Sequence, residues 1–212
     1  MSNNEYSHNK DKAKKGRPAG DHDSKRKQLV SAVIEVLCEQ GHRGTSMRKV
    51  SAKVGCSTGT MTYYFKNKEE MFTAATDFIF EEYEQLLIND GRYIDIRDTL
   101  DNWLKRVQNE SESTAPVFSE LLIYARNEPN FAIYLLKKYE KLKSILTLSI
   151  EQGQLEGAIR KDISAKMLCD QLTALVDGWL VIQSININEF DPEHTQNFVS
   201  ATLKLMSPYT VP

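Results

Sequence analysis

Apolar residues recur three and four positions apart along most of this chain, and no run alternates apolar with polar residues for the length of a strand. A 3.6-residue period buries one face of a helix, so the chain is committed to an all-α fold of several amphipathic helices. Leu29, Val33, Val36 and Leu37 form a first stripe from Asp23 to a stop at Gly41. Thr45 is placed to cap a second helix, Ser46 to Val54, with Met47, Val50 and Val54 facing inward, and Gly55 supplies the turn that follows. Ser57 is placed to cap a third, ending near Tyr64, and three short helices in this order predict a bundle with helix-turn-helix geometry. Asn67 and Glu70 open a long fourth helix with an apolar stripe from Met71 to Leu86. Further helices are expected over Ile94 to Asn109, Thr114 to Glu128 (stopped by Pro129), Phe131 to Gln152 (stopped by Gly153), Ser164 to about Ser184, and Pro192 to Met206, the last capped by Asp191. The chain shows no internal repeat.

Charge divides the chain. Through Lys68 there are 14 Lys and Arg against 6 Asp and Glu; beyond it there are 13 against 23. A basic end on an acidic body is the footprint of a protein that presents one end to a polyanion. Residues 1–22 are polar, contain Gly16, Pro18 and Gly20 and have no apolar period, so they read as a disordered basic arm. The expected organisation is therefore an arm (1–22), a basic helix-turn-helix bundle suited to DNA (23–68) and a larger acidic helical domain (69–212). No run reaches the roughly 18 apolar residues of a membrane span, no signal peptide opens the chain, and the expected compartment is the cytoplasm. Cys38, Cys56 and Cys169 are widely spaced without a C-x-x-C pair; neither a disulfide framework nor a metal site is expected, and no cofactor is implied.

Gly55-Cys56-Ser57-Thr58-Gly59 satisfies the G-x-S-x-G pattern of a hydrolase nucleophile elbow. An elbow needs a strand before the serine and acid and histidine partners after it. Here the preceding segment is helical in pattern and the one downstream histidine is His194 near the far end. Ser57 therefore reads as a helix cap, and no catalytic residues are expected. The same spacing suits a helix whose N-terminal turns enter a major groove, where hydroxyls reach base edges and phosphates and a glycine admits close approach.

The block GTSMRKVSAKVGCSTGTMTYYFKNKEEMF, within Leu29 to Phe72, resembles the DNA-binding domain of the tetracycline-repressor (TetR) family of bacterial transcription regulators. By position, the resemblance implies phosphate contacts at Thr45 and Lys68, and base or backbone contacts at Ser57, Thr58, Gly59, Thr60, Thr62, Tyr63 and Tyr64; Ser46, beside Thr45 at the start of the second helix, is a further candidate for a phosphate. Thr58 stands where relatives often carry lysine, and Thr62 where they often carry tyrosine. Arg17, in Lys14-Lys15-Gly16-Arg17-Pro18, resembles the core of arms that enter a narrow minor groove. The resemblance further implies a homodimer built on the last two long helices, here through Leu172, Leu175, Val176, Trp179, Phe198 and Leu203. It also implies a pocket for a small-molecule effector, for which Trp103, Phe118, Glu120 and Tyr124 are the candidates, with Tyr134, Tyr139 and Asp177 beside them. Aromatics with one carboxylate suit a cation, and LVDGW with GAIRKDIS resembles the betaine-regulator-like branch. The expected function is a homodimeric repressor released from its DNA operator by a ligand; a DNA-binding regulator that needs no ligand, and an enzyme, are the alternatives.

Overall fold

The computed structural model describes residues 19–89, 92–110, 114–183 and 192–208. Helices carry nearly all of them: α1 (Ala19–Gly44), α2 (Met47–Val54), α3 (Thr58–Tyr64), α4 (Lys68–Leu87), α5 (Ile96–Glu110), α6 (Thr114–Asn127), α7 (Pro129–Leu155), α8 (Ala165–Gln183) and α9 (Pro192–Met206). The fold is all-α, as the apolar period requires. A ribbon pairing β1 (Ile88–Asn89) with β2 (Arg92–Tyr93) separates α4 from α5. Two residues per strand are too short to alternate visibly in the sequence.

Local chemistry accounts for most boundaries. The regular part of α1 ends at Gly41, whose φ of 66° is in the left-handed region, and α2 ends at Gly55 with φ 69°, where the Gly55 amide donates to Ala52 and the Cys56 amide to Ser51. Ser57 caps α3 by accepting from Thr60 N at 3.0 Å, and Asn67 caps α4 by accepting from Glu70 N at 2.8 Å. Helix α1 is already formed at Ala19, four residues before the expected start. Ser46, not Thr45, caps α2, accepting from Lys49 N; Thr45 instead turns inward and donates its hydroxyl to Gly41 O at 2.8 Å. Pro129 does not merely end α6 but occupies the first turn of α7, where its missing N–H costs nothing. Gly153 does not stop α7, which runs on to Leu155; a Cβ at 153 would lie 2.6 Å from Ile159 Cδ1, so the glycine makes room for the chain's return. The expected cap Asp191 and the end at Ser184 lie outside the described residues.

Two hydrophobic cores result. The first joins α1 to α4 with one side of α6 and the start of α7, through Leu29, Val33, Leu37, Val50, Met61, Phe65, Met71 and Phe72, all but fully buried. Each such side chain contributes roughly 1.5–3 kcal/mol by leaving water. The second joins the end of α4 with α5, α7, α8 and α9 through Leu87, Leu100, Trp103, Ile150, Leu172, Leu180 and Val199. Helix α6 lies between them, packed on α1 on one side and on α7 and α8 on the other.

Candidate functional site

Helix α3 presents an exposed row of small polar residues. Ser57, Thr58, Gly59 and Thr62 are exposed, Thr60 is half-buried, and Tyr63 is 73% exposed. Met61 and Phe65 anchor the opposite side in the first core. Thr62 donates to Gly59 O at 3.0 Å, so its acceptor lone pairs still face outward. Tyr64 is half-buried against Tyr63, ring centroids 5.1 Å apart, and His22 of α1 stacks on it at 4.7 Å. A Cβ at Gly59 would meet only Ser57 Oγ at 3.5 Å, an ordinary contact; nothing within the chain requires glycine there.

Two of the residues expected at the DNA surface are engaged elsewhere. Thr45 is 1% exposed, with both its hydroxyl and its amide directed at Gly41 O. Lys68 folds back to donate to the His42 carbonyl, with its ammonium 5.2 Å from the Phe72 ring centroid and 6.0 Å from that of Tyr124; burial pushes its pKa down. Exposed cations that the motif does not single out are Arg43, Arg48 and Lys66, which form no ion pair among the described residues. Lys53, by contrast, is bound to Glu39 at 2.6 Å and Glu35 at 3.0 Å on α1. Arg17 lies outside the described residues.

The second core is hollow. A cavity of about 730 Å³, mouth included, opens between α4, α5, α6, α7 and α8. Its wall includes Phe80 and Leu87 of α4, Leu100 and Trp103 of α5, Phe118 of α6, Tyr139 of α7, and Leu172, Val176 and Asp177 of α8. A mainly apolar lining with a few convergent polar groups is the character of a small-molecule site. Tyr139 donates its hydroxyl to Asp177, and both groups titrate high: burial raises the Asp177 carboxyl, and burial together with the neighbouring carboxylate raises the Tyr139 phenol. Thr99 and Thr173, also in the wall, donate to the carbonyls of Leu86 and Cys169. Trp103 Nε1 is buried with no hydrogen-bond partner among the described residues. That leaves a donor whose loss of hydration is uncompensated.

Of the four effector candidates, Trp103 and Phe118 line this cavity and Glu120 and Tyr124 do not. Successive helical residues turn by 100°, so Glu120 lies about 200° and Tyr124 about 240° around α6 from Phe118. They point away from the cavity: Tyr124 packs edge-on to Phe72 at 4.7 Å and to Phe131 at 5.0 Å, and Glu120 holds His42. Tyr139 and Asp177 take their place in the wall, while Tyr134 donates to Asp77 on the seam between α4 and α7. The helical wheel of α6 carried this separation before any tertiary information.

The six residues expected at the dimer face also divide. Leu172 and Val176 turn toward the cavity, Trp179 stacks on His194 and packs at a tilt against Phe198 with centroids at 5.5 and 4.0 Å, and Leu203 is half-buried in the second core. Leu175 is exposed. It belongs to a stripe of α8 formed by Met167, Gln171, Ala174, Leu175, Gly178 and Ile182, all exposed and all within about 100° of arc. A Cβ at Gly178 would meet nothing within 4 Å. Among the described residues there is no helix long and apolar enough to cross a membrane and no cluster suited to a metal ion.

Residues 29–75 match the family model for the N-terminal domain of bacterial regulatory proteins of the TetR family, and residues 95–207 match that for the C-terminal domain of BetI-type transcriptional repressors. The fatty acid metabolism regulator protein of Bacillus subtilis is 23% identical over 73% of this chain and 82% of its own length. A TetR-family regulator from a Rhodococcus species superposes with a TM-score of 0.72 at 21% identity, covering 86% of this chain and 98% of that one. A transcriptional regulator from Saccharomonospora viridis, in complex with choline, superposes with a TM-score of 0.68 at 17% identity, covering 86% and 96%. At these identities the solved structures establish the fold, while the two family models together span both the helix-turn-helix bundle and the hollow second core. The chain therefore belongs to the TetR family: it is a DNA-binding regulator of transcription, not an enzyme.

Proposed function

We propose that the chain is a homodimeric cytoplasmic repressor that leaves its operator when a small molecule enters the cavity of the second core. The observation that carries this reading is that the cavity shares α4, α6 and α7 with the first core, on which the DNA-binding bundle is built. Helix α4 runs from Met71 and Phe72 in the first core to Phe80 and Leu87 in the cavity wall, and α6 carries Phe118 on one side and Tyr124 on the other. A ligand that displaces the wall displaces elements that orient α3. It can shift the equilibrium only as far as its affinities for the two states differ.

DNA contact is assigned to Ser57, Thr58, Gly59, Thr60, Thr62, Tyr63 and Tyr64 on α3 and to Ser46 at the start of α2, with Arg17 reaching the minor groove from the arm. Arg43, Arg48 and Lys66 supply the phosphate contacts that the inward-turned Thr45 and Lys68 leave open. Dimerisation is assigned to the exposed stripe of α8 together with α9, where Ala174 and Gly178 allow close approach of a partner helix. Two such readers engage half-sites about 34–36 Å apart, one turn of DNA. The choline complex of the Saccharomonospora viridis protein, which shares this fold, supports a small-molecule ligand.

The test begins by selecting bound fragments from genomic DNA at two salt concentrations, beside a scrambled control. Fragment-specific binding that weakens steeply with salt is expected. A thermal-shift screen on the same protein then seeks compounds that stabilise it, and each hit is added to the protein–operator complex. Hits that stabilise and release DNA support the ligand switch; hits that stabilise and leave the complex intact would show a regulator that works without this ligand site.

A further inference from the structure

Gly41 to Gly44, the turn that leads into α2, is gripped from two sides. From α6, Glu120 Oε2 accepts from the His42 amide at 2.7 Å and lies 2.6 Å from His42 Nδ1, a contact that places the proton on Nδ1. From the start of α4, Lys68 donates to the carbonyl of the same residue. His42 and Glu120 are 78 positions apart in sequence and both largely buried. The approach depends on Gly41: a Cβ there would sit 3.1–3.2 Å from the Glu120 carboxylate, and the φ of 66° is one that other residues adopt only with strain. Charge-assisted hydrogen bonds to a partly buried carboxylate are the stronger kind and are directional. Within the packing of α1 on α6, this side chain thereby orients the α1–α2 turn that leads into the helix-turn-helix.

We propose that Glu120 is a positioning residue for operator binding: it holds the His42 turn in the orientation that presents α2 and α3 to DNA, and it transmits displacement of Phe118 to that turn. The second half rests on the cavity being the effector site. Phe118 is in the cavity wall and Glu120 lies two residues on, on the opposite side of the same helix. Movement of the Phe118 ring away from the cavity rolls or translates α6, and the carboxylate moves with it. The turn is tied to α6 by this group and to α4 by Lys68, so two of the helices that wall the cavity act on one backbone segment.

The experiment needs no identified effector. Operator fragments selected by the wild-type protein are titrated with Glu120→Ala, His42→Ala, their double variant, Phe118→Trp, and Phe118→Trp combined with Glu120→Ala. Melting temperature and helix content are recorded for each, and hydrogen exchange is followed at the His42 and Arg43 amides. Glu120→Ala is expected to weaken operator binding about tenfold or more, with the double variant no worse than about twofold beyond it, because the imidazole acts through the carboxylate. Exchange at the His42 amide is expected to accelerate while α3 keeps its protection. Phe118→Trp enlarges a cavity-wall residue in place of a ligand; it is expected to weaken binding several-fold in the wild type and to have no further effect in Glu120→Ala. Should Glu120→Ala lower helix content, Glu120→Gln is read instead: it keeps an acceptor for the His42 amide, removes the charge, and is expected to fall between wild type and Ala. Wild-type operator affinity in a folded Glu120→Ala protein overturns the proposal, and so does a double variant whose losses simply multiply. A silent Phe118→Trp in the wild type beside a weakened Glu120→Ala overturns the cavity reading and leaves the positioning role supported.

Discussion

The two cores of this molecule are built to opposite specifications. In the first, Phe65, Phe72, Met61 and Met71 are at most 1% exposed, and rings and aliphatics from six helices close on one another. In the second, similar residues surround a cavity whose wall also holds the half-buried Asp177 carboxyl and Trp103, whose indole N–H has no hydrogen-bond partner among the described residues. Close packing gives a reading head one orientation for its side chains, whereas empty space and incompletely satisfied polar groups lower stability and leave room for a ligand to restore it. Stability and responsiveness are thus assigned to different parts of one chain.

The largest expected effect tests the closed core. Phe65→Ala removes a fully buried ring at the end of α3 and is expected to cost about 3–5 kcal/mol in urea unfolding, with operator binding lost. A sharper contrast comes from adding volume. Val33→Phe in the closed core is expected to cost about 1–3 kcal/mol, while Val176→Phe, pointed into the cavity, should stay close to wild type in stability. Equal costs for the two would mean that the second core is as tightly filled as the first.

Asp177 gives the comparison a pH axis. Burial raises its carboxyl above the usual value, so the folded state keeps the proton to a higher pH than the unfolded chain does. The stabilising proton is present at acid pH and lost as pH rises through the folded value. Asp177→Asn keeps an acceptor for Tyr139 and is expected to melt higher than wild type at neutral pH, with the gap closing toward acid; a gap that instead widens toward acid would reverse the assignment. The smallest effect on stability is at Gly59. Gly59→Ala is expected to leave melting unchanged or raise stability by up to ~1 kcal/mol, yet to weaken operator binding. Unaltered DNA affinity in that variant would place the DNA-facing backbone elsewhere.

How much of this was legible in sequence depended on distance along the chain. Ser57, Asn67, Gly55 and Pro192 mark helix ends through bonds or restraints that act within a few residues, and the apolar period marks which face turns inward. The same logic failed where two local signals competed: Thr45 and Ser46 are adjacent hydroxyls suited to a cap, and only the inward rotation of Thr45 toward Gly41 decides between them. Gly153 looked like a stop because the side chain that needs its space, Ile159, comes back from beyond the helix end. Glu120 and Tyr124 were grouped with Phe118 by composition, although the pitch of a helix already sets them on opposite sides.

Taken alone, the sequence determined the all-α fold, nearly every helix, the helix-turn-helix with its exposed hydroxyl face, and the family. These follow from hydrophobic period and capping, which are decided among near neighbours. The tertiary structure alone decided that Lys68 and Thr45 turn inward, that Tyr139 and Asp177 join the cavity wall, and that Glu120 reaches His42. Those pairings depend on how whole helices pack, and a side chain's partner 78 residues away leaves no mark on the residues beside it.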